Sequence, residues 1–522
     1  MKGPPPSGGP FPSPLAAADR CGGAPANYDR RVAEPEARAV GAGRRRPTLE
    51  HVWFAVVTVV PATIMLIPRL STVDLAYAVR AGELMIRSGS ILRTDPFGLT
   101  TAGRPWLNQQ WASQVLFAAA YRAGGWAGLI VLRATLVWCV SALVFASCRA
   151  RGASTRWAGI ATAASFVVAI GNNLRAELLG LVLFAVAIWI LSTRATHPAR
   201  VWAIPPLIVV WANVHGSFVL APLLVALALL EDRSSSGRWD RRLAIVGLLG
   251  LAATFATPFG AGAWSYALGL STNPQVRDRV VEWSPTTLRT VIGVLFFGSV
   301  AAVTVLLARS RTPPSAATLV SVGIFFLIGA YAIRGVAWWA VAVPPAVAPL
   351  FPRAEASPDA EGSPLANRAV VAVLALGLIA SLPWWRDGGR PAATLLRIAP
   401  GSLTEAYRSV ARPDDRVLNS QLVGSWFEFA VPGVRTFVDA RIEVPPDRVW
   451  ADYTTMTAVA RGWRTALARW RFDVIVMLRP RDARLANAVR TLPCWREVYS
   501  GVDGSVFVRT SGAAGGVECA AS

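Results

Sequence analysis

Three acids, Asp74, Glu83 and Asp95, lie within one polar stretch at 71–111, between two strongly apolar runs. The stretch reads STVDLAYAVRAGELMIRSGSILRTDPFGLTTAGRPWLNQQW. A simple connector needs only a few residues. This one carries acids, an amphipathic pattern, and Thr-Asp-Pro-Phe and Gly-Arg-Pro-Trp turns, so it reads as a built surface, the kind of segment on which chemistry is placed. A carboxylate there can take a proton from a reacting hydroxyl. Arginines at the ends of later apolar runs, Arg175 and Arg334, have the donor fork that holds a phosphate. His215, one of three histidines in the chain, follows Asn213 at a break between two apolar runs, and Glu282 precedes Trp283 in a later polar loop.

Each of these residues also has a structural reading. Asp74 can cap a helix over 75–88. Asp95 precedes Pro96 and suits a turn. A histidine at a helix break is commonly a hydrogen-bonded structural group, and Arg175 and Arg334 can serve as positional anchors. Trp126, Trp211, Trp264, Trp283, Trp338 and Trp339 suit an interfacial aromatic belt. Asp439 and Arg441, two residues apart after a β-rich run, read best as an internal salt bridge.

The elements that must position these groups are membrane helices. Hydrophobic residues make up 53% of the chain and charged residues 16%, with a mean hydropathy of +0.43, which excludes an ordinary soluble domain. The net charge of +21 does not indicate nucleic acid, because the basic residues sit mostly in tails and inter-helix loops, where they set topology and meet anionic lipid. Of the 52 basic residues all but Lys2 are arginine, a sign of GC-rich coding rather than of phosphate binding. Five cysteines (Cys21, Cys139, Cys148, Cys494, Cys519) without CxxC spacing give no zinc site. Cys494 and Cys519 either pair in an oxidising compartment or remain thiols.

Residues 1–50, rich in Pro, Gly, Ala and Arg without an apolar core, are expected to form a disordered cytoplasmic tail. Arg44, Arg45 and Arg46 precede the first apolar run and place the N-terminus in the cytoplasm. Runs at 52–68, 126–145, 157–170, 178–191, 201–212, 217–230, 243–256, 291–308, 316–332, 336–351 and 369–382 then give about eleven spans or hairpin segments. At 201–212 the run is about 18 Å long as a helix, short of a core of roughly 30 Å, which suggests a partial hairpin. Arg133 is an intramembrane charge in need of a partner. An odd count puts the C-terminus outside the cytoplasm. The same parity gathers Asp74, Asp95, Arg175, Glu177, Asn213, His215, Glu282 and Arg334 on the outer face.

After 384 the composition changes. Runs at 416–419, 434–438, 473–478 and 505–509 read as short strands, with helical patterns at 447–459 and 462–470 between them. The expected organisation is a multi-pass α-helical membrane domain at 51–384 with a large first outer loop at 69–111. A small extracytoplasmic α/β domain at 385–510 and a flexible tail at 511–522 follow.

Several motifs carry a resemblance. Asp74-Leu-Ala-Tyr, Ala81-Gly, Thr94-Asp-Pro-Phe, Gly103-Arg-Pro-Trp and the tryptophan of Asn108-Gln-Gln-Trp111 resemble the first outer loop of a bacterial polytopic family classed with GT-C-type glycosyltransferases. Trp211-Ala-Asn-Val-His-Gly216, Thr257-Pro-Phe-Gly260, Glu282-Trp-Ser-Pro285, Phe437-Val-Asp-Ala-Arg441 and Asp452-Tyr453 extend it. The resemblance implies a GT-C-like fold and an enzyme of the plasma membrane that moves a sugar from a polyprenyl-phosphate lipid to an envelope glycan or protein on the outer face. Asp74 would be the base. Arg175 and Arg334 would bind phosphate, and His215, Asn213, Glu282 and Asp95 would be further substrate-binding groups. No cofactor is assigned, and a divalent metal ion stays open as phosphate counter-charge. Two departures stand out. Relatives tend to have Trp and His after the first Asp, where this chain has Ala76-Tyr77-Ala78-Val79, and His-Glu-Trp where it has Gln109-Gln110-Trp111. The alternative is therefore a non-catalytic membrane protein whose outer loops and C-terminal domain bind an envelope glycan or partner. A transporter would call for internal repeats or paired intramembrane charges, which the sequence lacks.

Overall fold

In a computed structural model, the described residues are Gly3 and 48–169, 173–352 and 363–510. The expected tail over 1–50 lies almost wholly outside them, as do the tail at 511–522 and Cys519. From Pro47 onward the chain forms one body.

Among the described residues, five helices are long and apolar enough to cross a membrane: Leu49–Leu66, Trp111–Ala150, Val291–Arg309, Ile333–Leu350 and Pro364–Asp387. Their outer faces are apolar and exposed, as at Val305, Val373 and Leu376. In water such a surface would drive aggregation; in lipid it is the matching solvent. The run expected as a partial hairpin is longer than the apolar pattern indicates. A 3-10 turn over Pro198–Ala203 leads directly into the helix Ile204–Val214. At roughly 2.0 and 1.5 Å per residue the two reach about 28 Å, close to a full hydrocarbon thickness. Arg200 and the prolines at 205 and 206 hide this extension from a hydropathy reading.

The first helix, Leu49–Leu66, has free carbonyls at its C-terminal end, and two arginines satisfy them. Arg133 donates from Nε to the Met65 carbonyl (3.0 Å) and from Nη2 to the Pro68 carbonyl (2.6 Å). Arg386 donates to the carbonyls of Ile67 (2.7 Å) and Leu66 (2.6 Å). The intramembrane charge thus finds its partners in backbone dipoles rather than in an acid. Arg133→Met, which keeps the packing volume, strips these buried acceptors of their donor and should cost about 1–3 kcal/mol. A melting temperature in detergent that does not move would refute this role.

Next comes the amphipathic helix Thr72–Ser88, closed by Gly89 in the left-handed region (φ 65°). It buries Leu75, Ala76, Val79 and Met85. Gly82 lets it lie directly on the helix Trp111–Ala150, since a Cβ there would come within 2.0 Å of the Gln114 carbonyl oxygen. That second helix is broken at Gly124 and Gly125, so 111–123 is an arm against the loop and the remainder continues the bundle.

One end of the bundle is stitched by ion pairs: Glu50 with Arg149 (3.3 Å), Arg194 with Glu231 (2.8 Å) and Asp232 (2.7 Å), and Arg151 with Glu231. At the other end lie the amphipathic helix and the C-terminal part. There, five strands order as Arg435–Thr436, Arg416–Asn419, Val474–Leu478, Gly504–Arg509, Trp495–Ser500. The first three are mutually parallel and the last two form an antiparallel hairpin. Four of these strands match the β-branched runs. The fifth, Trp495–Ser500, carries Arg496 and Glu497 on a largely solvated edge and gives no apolar run. The edge strand is shorter than expected, because its neighbour is the outer loop itself: Leu99 N donates to the Thr436 carbonyl (2.7 Å) and Thr436 N to the Phe97 carbonyl (3.1 Å). A second weld is the parallel pair Leu70–Ser71 and Leu396–Arg397.

Candidate functional site

A cavity of about 1170 Å³ lies between the amphipathic helix, the ends of the bundle helices and the sheet. Asp74 stands in its wall, in the first turn of Thr72–Ser88. The residue at the N-cap is Ser71, so Asp74 does not cap the helix. Its carboxylate is 2.7 Å from Arg175 Nε, and Arg175 Nη1 reaches the carboxylate of Glu282. Arg175 therefore sits between two acids contributed by segments far apart in sequence. Burial within the cavity wall raises the Asp74 carboxyl above the usual carboxylate range, with Glu282 adding to the rise and Arg175 opposing it. Beside this trio, Arg334 Nη2 donates to Glu177 Oε2 (3.0 Å), and its guanidinium lies 4.4 Å from the ring centre of Trp283. Stacking and pairing fix the plane of the guanidinium while leaving other N–H groups of the fork open.

His215 also lines the cavity. The helix Ile204–Val214 ends there, with His215 extended (φ −158°, ψ 143°) before a 3-10 turn. The Ser217 backbone N–H donates to its Nδ1 (3.1 Å), which places the proton of the neutral ring on Nε2. Asn213 does not reach the cavity lining. Its Oδ1 accepts from Trp111 Nε1 (2.9 Å), and its Nδ2 donates to the carbonyls of Val209 (2.8 Å) and Ala256 (2.9 Å). Asn213 thus splices the arm at 111 to the helix break. Asp95 lies apart as well, fully buried, accepting from the backbone N–H groups of Phe97 (3.0 Å) and Gly98 (3.2 Å) and from Arg441 Nη1 (2.7 Å). Burial alone would raise its carboxyl, but Arg441 and the Thr101 hydroxyl outweigh it and hold it below the ordinary value. The structure accordingly brings together Asp74, Arg175, Glu282, Arg334 and His215 from the sequence candidates, and places Asn213 and Asp95 in the frame around them.

Other lining residues carry no motif. Tyr266 donates to Glu443 Oε1 (2.8 Å), and burial raises the Glu443 carboxyl. Gln421, Arg279 and Arg481 line the sheet side. In the Asn108-Gln-Gln-Trp111 motif, Gln109 and Gln110 line the cavity, and Gln109 Nε2 donates to the Ala212 carbonyl (2.9 Å). The only cue to Gln421 and Arg481 in the sequence is their place just after an expected strand.

The donor set does not suit a divalent ion as it stands. Asp74 and Glu282 share Arg175, and Glu177 is paired with Arg334, so guanidinium groups already supply the counter-charge. Among the described residues no three His, Cys, Asp or Glu side chains converge as ligands.

No protein-family model matches this chain, and no curated protein does. Among solved structures, the chain is similar to the crystal structure of ArnT from Cupriavidus metallidurans bound to undecaprenyl phosphate. The TM-score is 0.50 at 16% identity, over 89% of this chain and 98% of that one. At that identity the likeness concerns the fold, that of a mostly helical, multi-pass membrane protein.

Proposed function

We propose that this protein is a GT-C-type glycosyltransferase that takes a sugar from a polyprenyl-phosphate lipid and passes it to a hydroxyl of an envelope acceptor. The observation that carries the reading is Asp74, a carboxyl in the wall of a large cavity, held 2.7 Å from Arg175 and raised above the usual carboxylate range by burial. A base with an elevated pKa accepts a proton from a hydroxyl more readily than an ordinary carboxylate does. As the acceptor oxygen attacks the anomeric carbon, its proton passes to Asp74 and the lipid phosphate departs with the bonding electrons. Arg175 and Arg334 stabilise the phosphate charge from the open N–H groups of their forks. His215 Nε2 and Glu282 hold the substrates between them.

The lipid has a route. Leu268, Leu327 and Tyr331 line the cavity and are also more than half exposed on the bundle surface, at 56%, 65% and 51%. An opening with these apolar residues at its rim lets an isoprenoid tail stay in the bilayer while its phosphate reaches the arginines. The bound lipid of the structural neighbour fits this reading. The alternative, a non-catalytic glycan-binding protein, draws on the glutamines at 109 and 110 and on the pairing of every acid near Asp74 with an arginine. Purified protein in liposomes, supplied with undecaprenyl-phosphate sugars and an envelope extract, should release undecaprenyl phosphate and label the acceptor. Absence of release with any sugar would favour the alternative.

The reading includes about eleven spans or hairpin segments, a cytoplasmic N-terminus and a C-terminal domain outside. A C-terminal alkaline phosphatase fusion should be active and a C-terminal green fluorescent protein fusion dark. The reverse pattern would overturn the parity argument.

A further inference from the structure

The cavity has two unlike walls. One is built from helix ends, and there each arginine is matched by acids: Arg175 by Asp74 and Glu282, Arg334 by Glu177. The other is the carboxyl edge of the parallel strands. The strand Arg416–Asn419 delivers Gln421 to the cavity, the strand Arg435–Thr436 leads on to Arg441, and Val474–Leu478 leads to Arg481.

Adjacent parallel strands whose following segments turn to opposite faces leave a crevice at their carboxyl ends, where open α/β sheets bind ligands. That condition holds between Arg416–Asn419 and Val474–Leu478. The helix after the first, Gln421–Ala430, packs Val423 and Phe427 into the core shared with the bundle. The helix after the second, Ala483–Arg490, packs Leu485 and Val489 into a separate core on the other face. The crevice is held in shape by its own bonds: Ser420 Oγ donates to the Asp482 carboxylate, and Gln421 N donates to Tyr453 Oη (2.9 Å).

On this wall two cations form no ion pair among the described residues. Arg279 lies over the Trp450 ring (4.9 Å) and bonds only neutral groups, Gln275 Oε1 (3.2 Å) and Thr454 Oγ1 (3.2 Å). Arg481 is exposed, and the neighbouring Asp482 carboxylate feels its charge but is turned to Ser420 rather than paired with it. Among the described residues neither arginine forms an ion pair with a carboxylate, although both line the cavity.

We propose that this sheet-edge wall is the acceptor subsite, and that Arg279 and Arg481 select an acceptor sugar bearing an anionic group, a phosphate or a carboxylate. This rests on the transferase reading for the word acceptor, but the binding it asserts is measurable without turnover. A guanidinium outside any ion pair keeps its whole fork and most of its charge for an anion, whereas the charge on Arg175 is already shared between two carboxylates.

The test uses the full chain in lipid nanodiscs, with direct binding of glucose 6-phosphate, glucuronate, glucose and undecaprenyl phosphate. Either or both anionic sugars should bind at least about tenfold more tightly than glucose, and which of them does so separates phosphate from carboxylate. Arg279→Gln with Arg481→Gln should abolish that preference and leave undecaprenyl phosphate binding unchanged. Arg481→Gln alone, at an exposed position, carries the test should the pair destabilise the fold, and should weaken the anionic sugar while sparing glucose. Equal binding of charged and neutral sugars overturns the proposal. So does a double variant that loses undecaprenyl phosphate instead, since the arginines would then hold the donor. Anionic-sugar binding without any sugar transfer would sink the transferase reading while leaving this subsite standing.

Discussion

Asp74→Asn is expected to lower sugar transfer by at least about 100-fold, because it removes the proton acceptor and keeps nearly the same shape. Arg175 would retain Glu282, so the cavity wall should keep its geometry. A folded-state pKa above the unfolded value means that the native protein holds this proton the more tightly. Ionising Asp74 therefore costs stability; the cost is full above the folded pKa, fades as the pH falls from that value toward the unfolded one, and is gone below it. The asparagine variant has no such cost at neutral pH, which offsets the weakened contact with Arg175, and its melting temperature should stay within about 2 °C of the wild type. Activity should run the opposite way with pH: transfer by the wild type rises as Asp74 ionises, with an acid limb displaced above the usual carboxylate range. An unchanged rate in the variant would remove Asp74 from the chemistry. A large fall in melting temperature would instead make it a structural residue.

The second large effect should come from Arg441→Met. Arg441 is buried, with Asp95 at 2.7 Å, Asp439 held by two side-chain nitrogens, and Glu428 at 3.9 Å. Its guanidinium also lies among the rings of Tyr77 (5.4 Å), Phe97 (5.1 Å) and Trp106 (4.9 Å). Burial first, and Asp439 next, push the Glu428 carboxyl well up, so the cation's closest charged partners are Asp95 and Asp439. Removing the cation leaves those carboxylates buried without compensation, at a cost of about 3–5 kcal/mol. Protease cleavage near 94–106 should follow, since this residue ties the outer loop to the sheet. Adding Asp95→Asn and Asp439→Asn to Arg441→Met should recover most of the loss; no recovery would show that the ring contacts, not the charges, carry the effect. The acid side can be read separately. Asp95 has a depressed pKa, so its contribution is present above the unfolded value and is lost as the pH falls through the folded one, below about pH 4. Asp95→Asn should flatten the fall in melting temperature over that window.

Apolar runs and their arginine-bearing ends follow from composition, which is why the helical membrane fold and the positions of most helices are legible in the sequence. Period-two β-branched runs did the same for four of the five C-terminal strands. Local patterning fails where a partner supplies the reason. The strand Trp495–Ser500 is held by its hairpin neighbour, and Pro198–Val214 is lengthened by a 3-10 turn that hydropathy does not register. Asp74, Arg175, Glu282 and Arg334 were visible as polar residues at the ends of apolar runs, because a charge at such a place is costly and so conspicuous. Their pairing was not visible. Whether Arg175 meets Asp74 and Glu282 or stays open depends on how three distant segments pack, a distance of 2.7 Å that no spacing encodes. The separation of Asp95 from the cavity has the same origin: an acid before proline looks alike in any loop, and only Arg441, 346 residues away, makes it a buried anchor. Arg279 and Arg481 look like any of the chain's other arginines; the end of the strand Val474–Leu478 sets Arg481 on the cavity wall, and the packing of the helix Pro274–Arg279 against Trp450 sets Arg279 there, with neither in an ion pair among the described residues.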